Sequence, residues 1–278
     1  MTTMIHNSDE RMRIRPNRAA QALKAAGIFW FSTAVVGQAL FVVYIVGFYG
    51  AAAVARQPER WNDVLVGGYV AGGLIGNLIL AAHLLTAAII TVGGPLQLIP
   101  QHRSRALPLH RWMGRAYIVT AILISLAGLY MVWTRGTAGG DAMRVGISIN
   151  GVLILIAAVM AWRHAAARRI DRHRRWAMAT FLLVSGVWFF RVGLLAWIMI
   201  NQGPVGVGDD FDGPFVRFWA YGCYLVPLAV LILYLRAQDR PSGVGKALTA
   251  ALLTVLTLVM ALGIVGAAMG MWLPHLVG

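Results

Sequence analysis

One cysteine, ten acidic residues and only 12% charged side chains in 278 residues leave several functions without materials. Cys223 alone can form neither an intramolecular disulfide nor a CxxC metal site. The HExxH of zinc proteases, the phosphate-binding P-loop and the Gly-x-Ser-x-Gly nucleophile turn do not occur, and no GxGxxG follows a strand pattern. Soluble-enzyme chemistry therefore has no support. A water-soluble domain of this length carries about 25% charged residues, twice what is found here. With 59% hydrophobic residues, the chain is built for another solvent.

Seven apolar runs supply the alternative, at 27–50, 64–92, 113–134, 144–163, 176–200, 215–235 and 247–273. Crossing a hydrocarbon core about 30 Å thick takes roughly 20 residues of helix. No run shows the period-2 alternation of a barrel strand, and lipid leaves no partner for unpaired backbone groups. The expected fold is all-α: a polytopic transmembrane helix bundle of seven spans (27–278) behind a basic tail (1–26). Eighteen of the 24 Lys and Arg fall in that tail and in alternate loops, five fall on the other side, and Arg191 lies inside a span. This asymmetry places the N-terminus in the cytoplasm and the C-terminus outside. It also explains the net charge of +14 through anionic lipid headgroups, with no nucleic acid. No small-residue cleavage site follows span 1, so it reads as a retained anchor.

Glycines at 68, 72 and 76 in span 2, and 266 and 270 in span 7, suit close helix packing and oligomer contacts. Gly93-Gly94-Pro95 predicts a break after span 2, with residues 96–100 along the interface. The outer loop with Asp209, Asp210 and Asp212 reads as a solvated acidic turn.

The candidate chemistry lies in a few polar side chains. His83, deep in span 2, shares a helical line with Gly72, Gly76 and Gly94. It serves either as a hydrogen-bonded structural residue or as a ligand or relay, since intramembrane ionisable groups are costly. Arg191 must face inward, toward a bound anion or carbonyl-rich cofactor or else toward backbone carbonyls at a helix break. If span 5 is one helix from its first turn, His173 and Arg191, five turns apart, share a face with Thr180 and Val184. His110 and His173 open spans 3 and 5 at the same membrane face. Gly114, Tyr117 and Ala121 continue the His110 face. Two imidazoles at one depth with a glycine one turn above suit bis-histidine ligation of a haem b, while histidines at an arginine-rich rim also serve as interface anchors. His164 ends span 4, as a C-terminal dipole partner or a substitute ligand. His6, His102 and His275 read as surface residues.

Taken together, His83, Gly94-Pro95-Leu96-Gln97, His110-Arg111-Trp112-Met113-Gly114-Arg115-Ala116-Tyr117, His173-Arg174-Arg175-Trp176-Ala177-Met178 and Arg191 resemble domain-of-unknown-function family 2306, a family of bacterial membrane proteins. The resemblance runs from about residue 75 to 200. Arg175, an additional arginine before Trp176, departs from the family's second block. The resemblance implies a multi-span protein of the bacterial inner membrane and brings no established reaction. Three readings follow. The first is a b-type haem or quinone-associated redox protein with histidines of spans 2, 3 and 5. The second is a transporter or small-molecule-binding protein with a cavity around Arg191 and His83. The third is a structural or assembly subunit.

Overall fold

The computed structural model describes residues 18–99 and 105–277. His6, His102, Arg103 and most of the basic tail lie outside the described residues. All regular structure among the described residues is helical: α1 (Arg18–Tyr44), α2 (Leu74–Leu98), α3 (Leu107–Thr134), α4 (Gly140–Ala166), α5 (Ile170–Val184), α6 (Gly186–Ile200), α7 (Pro214–Asp239) and α8 (Gly243–Ala267). α1 runs on through a π-helical turn, Ile45–Gly50, and α8 through another, Ala268–Trp272. Six helices are long and apolar enough to cross a membrane, and the bent pair α5 and α6 passes the same test when its two halves are taken together.

Successive spans pack side by side: α2 on α3, α3 on α4, and α4 on both α5 and α7. α8 closes the bundle against α1 and α6. The short loops enforce this antiparallel order. Outward faces keep large apolar side chains such as Leu123, Ile156 and Leu258 exposed, which in lipid is their proper environment. Where α4 crosses α7, a β-carbon on Gly146 would stand 2.7 Å from the Ala220 carbonyl, so only glycine permits this approach.

Three expectations need correction. The first concerns span 2, whose helix begins at Leu74, not 64. Although residues 64–73 are apolar, Gly67 and Gly72 adopt φ of +63° and +77°, which ends any helix there. Two asparagines hold the resulting turns. Asn62 exchanges hydrogen bonds with both backbone groups of Tyr69, and Asn77 does so with Val70. Gly68 and Gly72 thus belong to a loop, and Gly72 does not share the helical line of His83. Gly76 lies under the Arg135 guanidinium, and Gly266 packs on Met199 and Leu195 within the chain.

Secondly, Gly93-Gly94-Pro95 does not end α2, which continues to Leu98. Pro95 sits near the last turn, where its missing donor frees a single carbonyl. Thirdly, span 5 is not one helix. It bends by 57° at Ser185, so the five-turn alignment of His173 with Arg191 fails. Ser185 Oγ donates to the Phe181 carbonyl (2.8 Å) and accepts from Gln38 Nε2 (3.0 Å). A serine that turns back on its own helix, followed by Gly186, is a common cause of such a bend. The bend sends α5 along α4 and α6 along α8.

Candidate functional site

The bend opens space. α3 and α5 both pack on α4 rather than closely on each other, and at the arginine-rich end of the bundle a cavity of about 1390 Å³ is lined by residues of all eight helices. His110 and His173 both line it; His83, His164 and Arg191 do not.

His173 is placed by a tight turn. α4 ends with Arg168 in the left-handed conformation (φ 55°). The Arg169 N–H reaches the His164 carbonyl at 2.9 Å, and the Arg168 N–H reaches the Ala165 carbonyl at 3.0 Å. This is the Schellman arrangement, with arginine where glycine is usual. It folds the first turn of α5 back on α4, so that His173 Nδ1 lies 2.9 Å from the Ala161 carbonyl. A carbonyl only accepts, so Nδ1 carries the proton, and in the neutral ring Nε2 keeps its lone pair. Backbone orientation of one ring nitrogen is the usual support for an imidazole that ligates through the other.

His110 stands on the first turn of α3, which Pro108 starts with its preset φ. One turn on, a β-carbon at Gly114 would stand 3.4 Å from Gln97 Oε1, which puts the Gln97 amide beside that glycine. A β-carbon on Gly94 would approach Phe181 Cδ2 to 2.7 Å and Tyr117 Cε2 to 3.3 Å, so α2 can meet α3 and α5 here only as glycine. The Tyr117 hydroxyl, also on the cavity wall, is buried without a hydrogen-bond partner. Thr180 spends its hydroxyl on the Trp176 carbonyl. Arg111, Arg115 and Arg174 line the mouth, while Phe189, Trp219, Pro227, Leu253 and Met260 line the interior.

Residues 80–234, more than half of the chain, match the family model described as a predicted membrane protein, DUF2306. The chain belongs to the DUF2306 family. Neither the curated proteins nor the solved structures yield a match to this DUF2306 protein. The matched stretch takes in both cavity histidines, Tyr117, Gln97 and the bend at Ser185.

The remaining expected residues of this DUF2306 protein lie elsewhere. His83 is half-buried between α2 and α3, nine residues along α2 from Leu74 and so roughly 14 Å from that helix's start. A β-carbon on Gly128 would stand 3.5 Å from its Cε1, and its Nδ1 is buried without a partner. His83 therefore does not join His110 and His173 at the cavity. The guanidinium of Arg191 lies 5.5 Å over the Phe41 ring and donates one long bond, 3.4 Å, to the Val187 carbonyl one turn back. Among the described residues, the ion pairs join Arg144 to Asp141, Arg175 to Asp239 and Arg217 to Asp212, leaving Arg191 without a carboxylate. His164 is buried at the end of α4, where its carbonyl accepts from Arg169. His275 stacks edge-on against Phe48 at 5.1 Å, at the far end of the bundle from the cavity.

Sequence reasoning placed Tyr117 on the His110 face by its seven-residue spacing but gave it no role. It missed the Ala161 carbonyl, which no side-chain pattern can signal.

Proposed function

We propose that this protein is a membrane-embedded redox protein in whose cavity His110 and His173 would hold a b-type haem. The observation that carries the reading is the hydrogen bond from His173 Nδ1 to the Ala161 carbonyl, in a cavity that His110 also lines. Two imidazoles suit an iron already held by a porphyrin better than a bare ion, which needs more protein donors. Among the described residues, no three His, Cys, Asp or Glu side chains gather to hold a metal.

The chain's own groups fit that load. Ala161 fixes the tautomer of His173. Gly94 and Gly114 let α2 and α3 approach closely along the lining. Arg111, Arg115 and Arg174 at the mouth offer bidentate donors to carboxylate substituents. Apolar side chains such as Phe189, Leu253 and Met260 line the rest of the cavity. One-electron transfer is what the haem supplies when bound. Arg191, away from the cavity, has no part in this site. On the charge bias of the loops, the cavity end faces the cytoplasm of a bacterial inner membrane.

The test is an absorption spectrum of protein purified from haem-replete cells. A Soret band is expected, lost in His173→Ala and in His110→Ala while the folded yield persists. Colourless protein would overturn the reading. A second reading, a carrier or receptor for an amphipathic small molecule, draws support from cavity size, since about 300–1,000 Å³ suffices for one drug-sized ligand. Uptake of a substrate by colourless protein would favour it.

A further inference from the structure

Two hydrogen-bonding groups in the cavity have no work in the haem reading. The Tyr117 hydroxyl is buried without a partner, though a phenol in an apolar wall ordinarily finds one. The Gln97 side chain lines the same cavity, with its Oε1 beside Gly114. Both project from the α2 and α3 side. Thr180 and His173, by contrast, already spend donors on the backbone.

Across from this pair the wall changes character. Phe189, Trp219, Val230, Leu253, Val259 and Met260 form an apolar surface contributed by α6, α7 and α8. Pro227, which interrupts the hydrogen-bond ladder of α7, belongs to the same lining. A ligand that satisfies both sides carries carbonyl oxygens at one end and a long apolar body at the other. Charge is not required, because the Tyr117 hydroxyl and the Gln97 amide are both neutral. A bare fatty acid would instead be drawn to the arginines at the mouth.

We propose that Tyr117 and Gln97 form a binding site for the head group of a prenylated quinone, the Tyr117 hydroxyl and the Gln97 amide each donating to a quinone carbonyl oxygen. The tail lies along the Trp219, Leu253 and Val259 wall. This deepens the redox reading by naming the partner that exchanges electrons in the same cavity, and it rests on that reading for its physiological sense. The binding itself does not depend on haem. The cavity volume exceeds what one such ligand takes, so the site can lie beside the histidines.

Trp30, Trp162 and Trp219 line the cavity and report on it, since quinones quench indole fluorescence. Titration of the purified full chain with decylubiquinone is expected to give saturable quenching. Tyr117→Phe and Gln97→Leu are each expected to raise Kd roughly three- to tenfold, the worth of one neutral hydrogen bond. Tyr130→Phe, a surface tyrosine of α3 outside the cavity lining, should leave Kd unchanged. Decanol, with a tail and no carbonyls, should compete weakly and equally in all variants. Thermal unfolding of each variant separates lost contacts from lost fold. Saturable binding unaltered in a folded Tyr117→Phe and Gln97→Leu double variant would overturn the proposal, as would an absence of saturable quenching. Colourless protein that still binds decylubiquinone through Tyr117 would remove the haem and leave this site standing. A red protein indifferent to both substitutions would do the reverse.

Discussion

Replacing Ser185 by alanine takes away the hydroxyl to which the Gln38 amide donates. Gln38 is 3% exposed, so water does not replace the lost acceptor. The Phe181 carbonyl is not orphaned by the change, because the Ser185 backbone N–H also reaches it, at 3.1 Å. The cost is therefore that of one side-chain bond between α1 and the bend. In water-soluble proteins, leaving a buried amide unsatisfied costs about 1–3 kcal/mol. Inside a bilayer, hydrogen bonds between helices average about 0.6 kcal/mol and reach about 1.7, because separated helices also find partners. The second scale applies, and Ser185→Ala should cost about 1 kcal/mol, toward its upper half because Gln38 is buried from water. Gln38→Leu removes donor and acceptor together and should cost less than about 0.5 kcal/mol. The double variant should match Gln38→Leu alone, a coupling of about 1 kcal/mol. Reversible unfolding by SDS in mixed micelles, followed by tryptophan fluorescence, measures all three. Strictly additive costs would refute the claim that this contact ties α1 to the bend.

Other outcomes are as specific. Gly94→Val should destabilise by about 1–3 kcal/mol in the same assay, the range for overpacking, because Phe181 and Tyr117 already occupy the added volume. Arg135 donates to the Gly68 carbonyl and, at 2.8 Å, to Asn77 Oδ1; Arg135→Gln should therefore speed limited proteolysis within residues 64–73 while cutting elsewhere stays the same. Arg191→Met should stabilise by about 1 kcal/mol, since a central arginine costs roughly 2.5–3.5 kcal/mol and a desolvated cation–π contact returns about 2; a loss of stability would show that the charge has a partner. In a Cys223→Ala background, Asp209→Cys should react with an impermeant maleimide on intact cells and Arg240→Cys only after permeabilisation, and the opposite result would invert the orientation.

The spans were legible because lipid imposes length and apolarity, and six of the seven runs overlie one continuous helix through most of their length. The run 176–200 hid its bend, since Ser185-Gly186 is apolar enough to pass and the decisive partner, Gln38, is 147 residues away. Residues 64–73 misled in the other direction. They are as apolar as a helix, yet glycines at positive φ and two asparagine side chains make them a loop. At the site, shared depth led to two histidines, His110 and His173, that line one cavity, because depth follows from position along a span. Which side of a helix faces a cavity depends on packing angles, and there His83 and Arg191 parted from the pair. A backbone carbonyl such as Ala161 leaves no trace in residue identity.

The three-residue connection at 167–169 carries a consequence for how relatives can vary. One inserted residue would break the paired turn bonds from Arg168 and Arg169 to Ala165 and His164 and move the imidazole of position 173 away from Ala161. The glycine-rich segment 201–213 bears no such constraint on the cavity. Relatives that keep this cavity should therefore differ freely in length at the second connection and not at all at the first.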